Sequence, residues 1–209
     1  MKNTKECKMD LQKLFDDMVA GCWAAEPFYR QVQPNYVALV GNISAKNLSD
    51  ADLLALWNDQ DTVMGGKIQA DCFPTKDRPM TTKSSSFPFL KKVANDPSEA
   101  NWQSLTAAVG DEYGKHFYAR TNRFTSVFNN DLFNIYSPGL MNRFLELLVD
   151  ENFLSRYSFK KSDSWFKKSQ LVMKTILSNI QIPSSITGVD RDYRLKVYAW
   201  QFVETVLVK

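Results

Sequence analysis

The stretch 96-DPSEANWQSLTAAV-109 carries the clearest helix signal in the chain, and the reading of the fold starts there. Asp96 offers an N-cap oxygen, Pro97 fits the first turn where no backbone N–H is needed, and Glu99 stands at the third position. Trp102, Leu105, Ala108 and Val109 follow at the spacing of one helix face. Ser137-Pro138 repeats the device ahead of Leu140, Met141, Phe144, Leu145, Leu147 and Leu148. Ser162 or Ser164 opens a further helix with Trp165, Phe166, Leu171, Val172, Ile176 and Leu177, which Pro183 stops.

Working outward, Leu11, Leu14, Phe15, Met18, Val19 and Cys22 predict an amphipathic helix over 5–23, closed between Gly21 and Pro27. A second helix over 29–42 is interrupted by Pro34. Ser49 then caps a short helix holding Leu53, Leu54, Leu56 and Trp57, with Asp50 and Asp52 in its first turn. At the other end, 190–207 predicts a terminal helix with Tyr193, Val197, Trp200 and Leu207 along one side. Only 32–40 and 135–136 have strand character, and neither alternates cleanly. The expectation is a mainly α fold, an irregular helical bundle with room for a small β element in the middle. It forms one domain, 1–209, with an N-terminal helical lobe at 1–58 and a basic C-terminal helical lobe at 88–209. Between them runs a polar loop, 59–87, marked by Gly65-Gly66, Pro74, Pro79 and the run from Thr81 to Ser86.

Composition narrows the function classes. With 209 residues and 44% hydrophobic content the chain can bury a sizeable core, and 14 Phe, 8 Tyr and 5 Trp supply much of its volume. The net charge of +3 is too small for a histone-like polycation, so any polyanion contact is local to one face. Cys7, Cys22 and Cys72 are an odd number at long spacings, which argues against a zinc site and a disulfide framework and for a reducing cytoplasm. No window reaches the roughly 20 apolar residues that a membrane span requires.

Tests for catalytic chemistry fail. Gly65-Gly66-Lys67-Ile68 lacks both the first glycine and the final hydroxyl of a phosphate-binding loop, since Asp61 and Ile68 stand in those places. His116 is the single imidazole, and no nucleophile motif surrounds it. The sequence therefore predicts neither an enzyme nor a cofactor.

The basic stretch remains. Residues 115–174 carry Lys115, Arg120, Arg123, Arg143, Arg156, Lys160, Lys161, Lys167, Lys168 and Lys174 against five acids, Asp131, Glu146, Asp150, Glu151 and Asp163. Arg120, Asn122 and Arg123 are groups suited to phosphate positioning and base-edge contact, and Tyr118 beside them to stacking on an exposed base. Lys115, Lys160, Lys161, Lys167 and Lys168 widen that field. An ordinary solvated helix face accounts for the same charges equally well.

In order and spacing of aromatics the chain resembles, over 56–206, the N-terminal region found ahead of the AAA+ GTPase motor in McrB-like modification-dependent restriction systems. Its carriers are Gly65-Gly66, then Phe89-Leu90-Lys91-Lys92 with Asp96-Pro97-Ser98 and Trp102. Asn122-Arg123 leads to Asn142-Arg143-Phe144, followed by Trp165-Phe166-Lys167-Lys168 and the run from Tyr198 to Glu204. The resemblance implies a domain of a bacterial restriction or anti-phage defence system. Such a domain selects DNA, often by a modified cytosine, and directs the motor and a separate nuclease to it. It implies no pocket residues. The competing expectation is a protein-interaction adaptor of a defence complex.

Overall fold

Nine helices and their connections make up the described part of the molecule, and no strand occurs among the described residues. The computed structural model describes residues 9–22, 27–44, 46–58, 79–114 and 117–202. The helices are α1 (Leu11–Asp17), α2 (Pro27–Ser44), α3 (Asp50–Asn58), α4 (Phe87–Asn95), α5 (Glu99–Tyr113), α6 (Tyr118–Phe128), α7 (Pro138–Asp150), α8 (Trp165–Asn179) and α9 (Gly188–Phe202). A π turn, Met18–Cys22, continues α1. The mainly α bundle is thus the fold, and neither stretch with strand character pairs: 32–40 lies inside α2, and 135–136 is unpaired chain between α6 and α7.

Local chemistry accounts for most boundaries. Asp10 caps α1 by accepting from the Lys13 N–H at 2.9 Å. At α3, Ser49 and Asp52 form a reciprocal cap: Asp52 N–H donates to Ser49 Oγ, and Ser49 N–H donates to Asp52 Oδ2. Ser137 and Ser164 cap α7 and α8 by accepting from Leu140 and Lys167 N–H.

Two boundaries differ from expectation. Pro97 drives the residue before it out of the helical region, so Asp96 is extended and terminates α4, and Ser98 precedes α5. The Asp96 carboxylate instead accepts from Ser98 Oγ and Asn101 Nδ2, bracing the junction from outside. Pro34 does not interrupt α2, which runs through it. Pro34 is exposed, so its ring lies outside the packed core.

The apolar side chains form two clusters. In one, Leu11 and Phe15 of α1 and Tyr36 of α2 meet α7, α8 and α9 through residues such as Phe144, Ile176 and Tyr198. In the other, Leu53, Leu56 and Trp57 of α3 join Leu90, Leu105, Val109 and Phe124 of α4, α5 and α6. The N-terminal helices are therefore shared out: α1 and α2 pack on the C-terminal helices, while α3 packs on the middle of the chain. Tyr198 Oη closes the first arrangement by donating to Leu11 O at 2.8 Å. Most of the polar loop, 59–78, lies outside the described residues. Its two flanks are clasped, because the Asn58 amide both donates to Met80 O and accepts from Met80 N–H, each at 3.1 Å.

The centre of the molecule is α6. Residues 121–127, RTNRFTSVF without its flanks, are buried without a break, although four of the seven are Thr, Asn, Arg or Thr and a fifth is Ser. Burying such a helix requires a partner for each polar group. Its hydroxyls supply their own: Thr121, Thr125 and Ser126 donate to the carbonyls of Tyr118, Thr121 and Arg123.

Candidate nucleic-acid interface

The residues expected to touch DNA divide sharply by burial. Arg120, Asn122 and Arg123 are interior, at 5%, 1% and 0% exposure. Arg120 Nη1 donates to Trp57 O at 2.9 Å and its guanidinium lies 5.9 Å from the Trp57 ring centre. Asn122 accepts from Trp102 Nε1 at 2.9 Å and donates to Tyr136 O at 2.7 Å, tying α5 to the entry of α7. Arg123 lies over the Tyr136 ring, 5.6 Å from its centre. These three side chains are fastened in the interior, and of the three only Asn122 reaches a cleft. Contact with DNA requires a solvated face, whereas here the guanidinium groups meet a backbone carbonyl and ring faces inside the molecule.

Lys168 is also buried, its Nζ donating to Lys161 O at 2.7 Å. Burial holds its ammonium below the ordinary lysine range, partly opposed by Asp163. Lys160, Lys161 and Lys167 are exposed, as are Arg143, Arg156 and Lys174. Lys115 and His116 lie outside the described residues. The basic stretch therefore offers a thinner field than its composition suggests, concentrated on the α7–α8 connection and the start of α8.

That connection borders a cleft of about 330 Å3. Trp102 and Thr106 of α5, Tyr118 and Asn122 of α6, and Pro138, Met141 and Asn142 of α7 form three walls. Lys161, Asp163, Trp165 and Lys168 form the fourth. The volume falls at the small end of the range that holds drug-sized or nucleoside-sized ligands, roughly 300–1,000 Å3. Trp102 and Trp165 stand with ring centres 5.8 Å apart and planes 37° from each other. Both indole N–H groups are already engaged, Trp102 with Asn122 and Trp165 with Ile135 O at 2.7 Å, so these walls are fixed in orientation. Tyr118 packs over Gly110 of α5, where an added Cβ would meet its ring and hydroxyl at 3.4 Å, at the edge of ordinary contact.

Two cleft residues have unfinished chemistry. Thr106 Oγ1 and Asn142 Oδ1 are buried with no hydrogen-bond partner among the described residues. A buried polar atom without a partner costs about 1–3 kcal/mol, and most native structures avoid it. Neither residue was a sequence candidate. The available signal was faint: Thr106 sits one turn beyond Trp102, and Asn142 one turn beyond Pro138, each a polar interruption of an inward-facing stripe.

Among the described residues no three His, Cys, Asp or Glu side chains gather as a metal site would require. No described helix is long and apolar enough to cross a membrane. Comparison with protein-family models, with curated proteins and with solved structures found no match to this chain.

Proposed function

We propose that the protein is a DNA-recognition domain that reads a base, a modified one by preference, in the cleft between α5, α6, α7 and α8. One observation carries the reading: an aromatic cleft of base-admitting volume is lined by the exposed Lys161 and by two half-buried side chains whose Thr106 Oγ1 and Asn142 Oδ1 atoms are buried without a partner among the described residues. An extruded base would stack against the indole walls and offer its edge to Thr106 and Asn142, with small side-chain rotations bringing their polar atoms into reach. Lys160, Lys161 and Lys167 would hold phosphates and position the duplex without reading it. Tyr118 would serve as a stacking wall and Asn122 as a fixed part of the lining, its amide held by Trp102 and Tyr136, while Arg120 and Arg123 fasten α6 in the interior. On this reading the domain binds and does not cleave, and it serves a bacterial restriction or anti-phage system in which a GTPase motor and a nuclease act on the DNA it selects.

Fluorescence anisotropy against matched unmodified, 5-methylcytosine, 5-hydroxymethylcytosine and N6-methyladenine duplexes, with single strands, at several salt concentrations, tests the proposal. Preference for one modified duplex is the expected result. If Lys160, Lys161 and Lys167 each neutralise a phosphate, log K falls against log salt with a slope of about −2.7. Absence of binding to every DNA would reject the proposal and favour a protein-interaction adaptor.

A further inference from the structure

The chain between α7 and α8 leaves α7 through Asn152, whose φ of 62° is the left-handed conformation that asparagine tolerates at a helix end. Phe153 N–H returns to Leu148 O at 2.8 Å, and Phe153, Leu154 and Phe159 pack against the core. Two turns then build the tip: Ser158 N–H donates to Ser155 O at 2.9 Å, and Tyr157 N–H to Ser155 Oγ at 3.3 Å. Lys160 N–H donates to Asp163 Oδ2 at 2.7 Å, and Lys168 fixes Lys161 O from below. The connection is thus anchored at both ends and held by its own hydrogen bonds. At its tip Tyr157 is 94% exposed, whereas the only other large hydrophobic side chain described as exposed, Val37, reaches 44%. Arg156, Lys160 and Lys161 flank it in sequence and are exposed, and Lys161 also lines the base-sized cleft.

We infer that Tyr157 is a second DNA-contacting residue, which stacks on a base exposed beside the one held in the cleft while its cationic neighbours take the adjoining phosphates. The inference rests on the DNA-reading function proposed above. A single exposed tyrosine is ordinary on a protein surface. What distinguishes this one is its placement on a braced tip, between cations, on the same connection that supplies a cleft wall. Tyrosine suits the task because it has a large stacking face and few rotatable bonds to immobilise, and every base has a face to receive it. Glu146 and Asp150 share a groove with Arg156, Phe159 and Lys161, and Glu146 Oε1 lies 3.9 Å from Lys161 Nζ, an exposed pairing that a phosphate oxygen would replace.

The test compares Tyr157→Ala, Tyr157→Phe and Arg156→Ala with the unaltered protein by anisotropy on a fluorescein-labelled mixed-sequence DNA single strand and its duplex. Unchanged circular dichroism and melting would show that each variant folds, as the exposure of both side chains leads one to expect. Tyr157→Ala should weaken single-strand binding about tenfold without altering the salt slope, Tyr157→Phe should restore it, and Arg156→Ala should make the slope shallower by about 0.7. Binding by Tyr157→Ala within about twofold of the unaltered protein, while that protein binds well, overturns the role of Tyr157 and leaves the cleft reading standing. Failure of the unaltered protein to bind any DNA overturns both.

Discussion

Replacing Asn122 by Leu separates a structural amide from a DNA-contacting one. The side chains have the same heavy-atom count and branching, but the methyl groups of leucine are bulkier, so the change removes the hydrogen bonds and adds some overpacking, which a double cycle separates. Trp102 Nε1 and Tyr136 O both lose their partner. Asn122 is 1% exposed, so water cannot readily take its place. At about 1–3 kcal/mol for each buried group left unpaired, the expected loss is about 2–6 kcal/mol, a large share of the roughly 5–15 kcal/mol that holds a domain together. At about 2–4 °C per kcal/mol for a chain of this size, melting should fall by several degrees at least. Urea unfolding followed by circular dichroism would measure it, with a lower midpoint and an unchanged m-value. A double cycle with Trp102→Phe, which deletes the same indole N–H, should give a loss smaller than the sum of the two single losses. A change below about 0.5 kcal/mol, the ordinary result for a surface side chain, would refute the placement of Asn122 between Trp102 and Tyr136.

Two further outcomes follow from the interior. Burial draws the Lys196 ammonium down to about 8, against an opposing pull from Asp192, while its Nζ donates to Ser126 O and faces the Tyr36 ring. The folded state therefore binds fewer protons than the unfolded chain between about pH 8 and the ordinary lysine value, so stability should rise with pH there, by at most about 1.4 kcal/mol per unit. Tyr36, Tyr193 and Tyr198, whose phenols burial raises, act in the opposite sense once unfolded tyrosine begins to ionise. Urea midpoints at about pH 8 and about pH 9.5 should show the rise and lose it in Lys196→Met; equal slopes in both proteins would contradict it. Gly110→Ala should stabilise α5 by about 0.5–1 kcal/mol, since the added Cβ makes ordinary contact with Tyr118, and a melting temperature below that of the unaltered protein would contradict the fit.

The helices were legible because their ends carry chemistry that acts over three or four residues. Ser49, Ser137 and Ser164 cap where the sequence placed caps, and the stripes of α7 and α8 are buried as their spacing requires. Asp96 misled because two rules compete at Asp96-Pro97-Ser98, and the constraint of proline on its predecessor prevailed over the N-cap preference of aspartate. The candidate site was legible only in part. Tyr118, Asn122, Lys161 and Lys168 line a cleft, but Arg120 and Arg123 are internal fasteners, and the Asn122 amide is already engaged by Trp102 and Tyr136. Nothing in residue type distinguishes a guanidinium that meets a phosphate from one that meets Trp57 O, because the same donors serve both. The cleft itself is assembled from four segments spread along the chain from Trp102 to Lys168, and periodicity within one segment cannot report such a meeting.

The claim that the cleft reads a base is tested most directly by the ratio of affinities for the preferred modified duplex and its unmodified match, measured for the unaltered protein and for the Thr106→Val, Asn142→Leu pair of substitutions. The account predicts that the pair brings the ratio to unity while affinity for the unmodified duplex at low salt is retained, since the lysines that grip phosphates are untouched. A preference that survives both substitutions in a folded protein would place recognition elsewhere and contradict the account.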